Sequence, residues 1–131
     1  MAAPLVLGLV PDLLFATRIE QGLRHLGYRV DLAADATALV ARTREAEPEL
    51  VLVDLAARGV DVPAAIRALR ADPATRAVPI VAFGPHLDEA ARAAARDVGA
   101  DAVVANSKLA LDLPGVLARY ARANDARADD A

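Results

Sequence analysis

Leu50-Val51-Leu52-Val53 is an unbroken apolar run that ends on Asp54. A run this short, built of Val and Leu, reads as a buried strand, so Asp54 stands where a strand meets its loop. A carboxylate in that place can accept a phosphoryl group as a nucleophile, or it can serve as a polar strand terminus that caps the loop. Asp12 follows a second apolar run, Leu5 to Val10, after Pro11. Its simplest use is as the N-cap of the next helix, whose first N–H groups need an acceptor.

Other reactive chemistries find little support. His86 sits between Pro85 and a helical segment and reads as a loop or capping residue, while His25 suits the negative dipole end of the first helix. Neither has a Ser, Asp or second His at triad spacing. Gly8, Gly27, Gly59, Gly84 and Gly99 form no phosphate-binding signature. The chain has no cysteine, which removes disulfides, thiolate nucleophiles and Cys-ligated metals.

These residues need a frame, and the pattern supplies one. Short apolar runs alternate with segments of helical spacing from Leu5 to Ala123. The strands fall at about Leu5–Val10, Tyr28–Ala33, Leu50–Val53, Ile80–Phe83 and Asp101–Ala105. The helices fall at about Leu13–Leu26, with Leu14, Ile19, Leu23 and Leu26 on one face, from Asp35 as cap to Ala46, after Pro63, at Leu87–Val98 and at Leu113–Ala123. Gly27 and Gly99 stop two of them, and Pro63 suits a first turn. Five strands alternating with five helices predict an α/β fold, a doubly wound five-stranded parallel sheet in a single domain. Ligand chemistry is then expected at the carboxyl ends of the strands.

Composition agrees. Of 131 residues, 56% are hydrophobic and only 3% aromatic, which suits a buried parallel sheet under Ala-rich helices. The net charge of −3 and the lack of a basic stripe argue against direct nucleic-acid binding. No basic signal-peptide start and no long apolar run is present, so a soluble, cytoplasmic chain off the membrane is expected. The domain is expected to span 1–123, with a disordered polar tail over 124–131.

Several phrases, in their order and spacing, resemble the receiver domain of bacterial two-component response regulators. They are Pro48-Glu49-Leu50-Val51-Leu52-Val53-Asp54-Leu55, Gly59-Val60-Asp61, Val78-Pro79-Ile80-Val81, Gly99-Ala100-Asp101 and Leu26-Gly27-Tyr28-Arg29-Val30. The resemblance implies a flavodoxin-like (βα)5 fold, with Asp54 as phosphoacceptor. It also implies an acidic pair after the first strand that shares Mg²⁺ with the acceptor. Here Val10-Pro11 occupies that place and Asp12 stands one position late, so Asp12 and Asp54 are a weak cation set. The family's hydroxyl after the fourth strand corresponds to Gly84. Its Lys-Pro after the fifth corresponds to Asn106-Ser107, with Lys108 two residues on.

The acceptor is kept and most of its helpers are not, the pattern of a degenerate pseudo-receiver. The implied role is phosphorelay signalling without enzymatic turnover, through contacts with a histidine kinase or an output protein. The implied surface is the 87–123 face, also a candidate for homodimer pairing. No cofactor is expected, and Mg²⁺ only with a working phosphorylation site. The alternatives are a conventional Mg²⁺-dependent receiver phosphorylated on Asp54, a small-ligand-binding flavodoxin-like domain, and a fragment of a larger regulator.

Overall fold

A computed structural model describes residues 3–85 and 88–122. The chain alternates β1 (Leu5–Leu9), α1 (Leu13–His25), β2 (Arg29–Leu32), α2 (Ala36–Ala46), β3 (Leu50–Asp54), α3 (Val62–Ala71), β4 (Ile80–Gly84), α4 (Glu89–Asp97), β5 (Ala102–Ala105), α5 (Asn106–Leu111) and α6 (Leu113–Tyr120). All five strands are parallel, in the order β2-β1-β3-β4-β5. This is the doubly wound α/β arrangement expected from the alternation. The tail 124–131, Ala123 and His86 lie outside the described residues.

Strand side chains alternate between faces, and each central strand is apolar on both. Leu5, Leu7 and Leu9 join Val51, Val53, Ile80 and Ala82 under α2, α3 and α4, against Leu39, Ile66, Leu69 and Ala95. On the other face Val6, Leu50, Leu52, Val81 and Phe83 meet Ile19, Leu23, Leu109, Val116 and Leu117 from α1, α5 and α6. The result is two cores, one on each side of the sheet.

Local chemistry sets the helix starts. Asp12, Asp35, Asp61, Asp88 and Asp112 each accept a backbone N–H of the helix they precede, satisfying one otherwise unpaired donor apiece. Gly27 at φ +93° follows α1 in a conformation that suits only glycine.

Two expectations are corrected. The buried stripe of α1 is Ala16, Ile19 and Leu23, and Leu14 is 86% exposed. Leu14 lies two residues from Ala16, about 200° around the helix at 3.6 residues per turn, so it points outward. Leu26, taken for the same stripe, is the C-cap and stays 40% exposed. The residues after β5, outside the five expected helices, form a further helix, α5. Its Leu109 is fully buried and holds the short turn down, while Asp112 and Pro114 separate it from α6.

Candidate functional site

Parallel pairing brings the carboxyl ends of β1, β3, β4 and β5 side by side. Leu9 pairs with Val53, Asp54 with Phe83, and Gly84 with Ala105. Asp54, Gly84 and Asn106 therefore line one end of the sheet, with Asp12 entering from the start of α1. Lys108 does not join them.

Asp54 is half-buried. Its Oδ1 accepts the Ala56 N–H at 2.8 Å, which turns the chain away from β3. Burial pushes its carboxyl above the usual carboxylate range; the Ala56 N–H opposes that shift and the nearby Asp12 carboxylate adds to it. Asp12 is thus close enough to be felt, although its own Oδ1 accepts the Phe15 N–H at 3.1 Å as the α1 cap. Phe15 in turn leans on Phe83 of β4, ring centroids 5.4 Å apart, which fixes the start of α1 against the sheet.

A carboxyl whose folded pKa is raised weakens the fold when charged. Between the unfolded value of 3.8 and the raised folded value, the native chain holds more protons than the unfolded one. Stability from this group therefore falls as pH rises through that window, and the penalty is complete above it. Asp54→Asn is expected to unfold at a higher temperature than the wild type at pH 7. In paired calorimetric scans the gap should close towards pH 3.8.

Gly84 shows why its position lacks a side chain. A Cβ there would lie 3.1 Å from Leu55 Cβ and 3.3 Å from its Cδ1, so Leu55 covers the spot a hydroxyl would fill. Leu55 is held by its own N–H, which donates to Phe83 O at 2.8 Å. Gly84→Thr is expected to cost about 1–3 kcal/mol through overpacking. Leu55→Ala in the same chain should recover part of that loss in urea-unfolding midpoints.

Asn106 opens α5, and its Oδ1 is buried without a hydrogen-bond partner among the described residues. Lys108 lies one turn further on. Its Nζ donates to Asp112 Oδ2 at 2.7 Å, and this contact holds the Asp112 carboxyl below its usual range. Lys108 is thereby tied to the cap of α6.

Magnesium is held in proteins through one or two carboxylates, with water and phosphate oxygens completing the octahedron. Asp54 and Asp12 could form a weak set of that kind, each with one oxygen already engaged by a backbone N–H. No group of three or more His, Cys, Asp or Glu able to hold a metal occurs among the described residues. For a phosphoryl group the fit is poorer still, because among the described residues Asp54 bonds neither a hydroxyl nor a cation.

The family model of the response regulator receiver domain matches residues 12–108, well over half of the chain. The chain belongs to that family. Solved receiver structures agree. The receiver domain of sensor histidine kinase PA1611 from Pseudomonas aeruginosa, with a magnesium ion coordinated in its active-site cleft, is 28% identical. It superposes with a TM-score of 0.82 over 91% of this chain and 98% of that one. The chemotaxis protein CheY4 of Vibrio cholerae (19% identity, TM-score 0.80, 90% and 98% covered) shares the fold. So does the receiver domain of a signal transduction histidine kinase from Syntrophus aciditrophicus (20%, 0.79, 89% of both chains). No curated protein matches the chain in sequence.

Sequence reasoning singled out Asp54, Gly84 and Asn106, which the fold brings to one end of the sheet, but not Leu55, whose contact with Gly84 depends on the β3–β4 register.

Proposed function

We propose that this receiver domain is a signalling module that works through protein contacts, with an altered phosphorylation site centred on Asp54. The observation that carries the proposal is the packing around the acceptor: Leu55 covers Gly84 and Lys108 is tied to Asp112. An aspartyl phosphate needs its charge neutralised, and among the described residues no side-chain cation or hydroxyl bonds Asp54, while the unpartnered Oδ1 of Asn106 can only accept. The output state is therefore fixed by the fold or set by a bound partner. The domain turns over no substrate of its own.

The contact surface is the 87–123 face of α4, β5, α5 and α6, with a histidine kinase or an output protein as partner. β5 supports this as an edge strand with no neighbour beyond it. A cytoplasmic site of action fits a signalling partner of this kind, and no helix among the described residues is long and apolar enough to cross a membrane.

One observation favours a second reading, a conventional Mg²⁺-dependent receiver. Asp12 is near enough to raise the Asp54 carboxyl, so two carboxylates meet at the cleft. Intact mass after incubation with acetyl phosphate, with and without Mg²⁺, separates the two readings. The altered-site reading expects no adduct on wild type or Asp54→Asn. A Mg²⁺-dependent gain of one phosphoryl group, absent in Asp54→Asn, would overturn it and establish the conventional one.

A further inference from the structure

The large hydrophobic side chains that stay exposed among the described residues are Leu13, Leu14, Leu26 and Leu111. All four belong to the layer of α1, α5 and α6. Leu13 and Leu14 are 81% and 86% exposed at the start of α1, and Leu111 is 78% exposed at the end of α5. Soluble domains seldom gather such residues on one face without covering them. Arg18 lies beside this patch, lining the hollow that holds Leu14 and the one that holds Leu26 and Leu111. Among the described residues it has no carboxylate partner, whereas Arg24 and Lys108 are paired with Glu20 and Asp112.

The opposite layer carries the complement. An open groove of about 690 Å³ runs between α2 and α3, floored by Val40, Ala41, Val60 and Ala64. Asp35 and Asp61 stand at its rim, as does Arg44, which is paired with Asp72. Asp35 and Asp61 each spend one oxygen on their own helix cap, and neither has a cationic partner among the described residues. Apolar knobs with an unmatched cation thus lie on one side of the sheet, and an apolar groove with two unmatched anions lies on the other.

We infer that the occupant of the α2–α3 groove is a second copy of this chain, inserting its Leu13 and Leu14 knobs with Arg18 set against Asp35 and Asp61. Because patch and groove are different surfaces, the contact is head-to-tail, and it repeats along a row instead of closing as a two-fold dimer. The contact requires no phosphoryl group, so it stands or falls apart from the reading of Asp54.

Sedimentation velocity over a micromolar-to-millimolar series tests it, with two surface variants. Leu14→Glu spoils the patch and leaves the groove, and Ala41→Arg fills the groove and leaves the patch. Both positions are exposed, and unchanged circular dichroism and melting temperature confirm that each variant folds. The wild type should grow beyond dimer with concentration, and each variant alone should stay monomeric. An equimolar mixture should form a one-to-one dimer, weakened by added salt. A wild type that stays monomeric throughout overturns the inference. So does a mixture that stays monomeric, or a dimer lost in Leu14→Glu but intact in Ala41→Arg, which would mark patch-to-patch pairing.

Discussion

Phe83→Ala is expected to lower unfolding stability by about 3–5 kcal/mol, the usual cost of emptying a buried aromatic site. Phe83 is fully buried and sits among Val81, Leu52 and Leu109 in the core shared with α1, α5 and α6. It is also the strand-side partner of Phe15, so truncation loosens the start of α1 as well as the core. With only 3% aromatic residues in the chain, the aliphatic side chains around it are poorly shaped to collapse into so large a void. A domain of this size has roughly 5–15 kcal/mol in hand, so the variant should lie near the edge of folding. Urea-unfolding midpoints measure the effect. Phe83→Leu, which keeps most of the volume, should cost under about 1.5 kcal/mol. An equal loss in both variants would mean that the ring itself, and not filled volume, matters.

Arg70→Ala should rank second, at about 2–4 kcal/mol. Arg70 lies near the end of α3, and its guanidinium reaches the amino-terminal end of the sheet. Nε donates to Gly99 O at 2.9 Å, Nη1 to Val78 O at 2.6 Å and Arg76 O at 2.7 Å, and Nη2 to Asp101 Oδ2 at 2.8 Å. Asp101 Oδ2 also accepts the Ile80 N–H at 2.7 Å. One side chain therefore joins the loop before β4 to the turn before β5. The Asp101 arm contributes least, since that side chain is 46% exposed and water screens the pair. The carbonyls carry more, because they are left without a donor when the guanidinium is removed. Lysine has a single ammonium in place of the planar fork, so Arg70→Lys should recover less than half of the loss in the same unfolding curves. Full recovery would show that charge alone suffices.

Gly99 has to be glycine for the same reason. Its φ is +117°, and a Cβ would come within 2.9 Å of Arg70 Cγ. In sequence this residue reads only as the stop of a helix. Its second role depends on an arginine 29 residues earlier, and no local pattern links the two.

That contrast runs through the whole chain. The strands, their order of appearance and the place of Asp54 follow from short apolar runs, since a parallel sheet buries both faces and leaves an unbroken apolar stretch. The caps at Asp12 and Asp35 are legible because capping joins residues three apart. Leu55 over Gly84, Lys108 held by Asp112, and the carbonyls under Arg70 were not. The first and last depend on strand register, and the Lys108 pair on a helix that starts at Asn106 without a side-chain cap. Leu14 misled because leucine is apolar wherever it points, and only the phase set by Ala16, Ile19 and Leu23 turns it outward.

The residues that staple this molecule, Arg70, Gly99 and Asp101, gather at the amino ends of the strands, whereas Asp54, Gly84 and Asn106 gather at the carboxyl ends. The two sets are thereby housed at opposite poles of the sheet. On this plan the residues of the cleft can change without touching the staple at the other end.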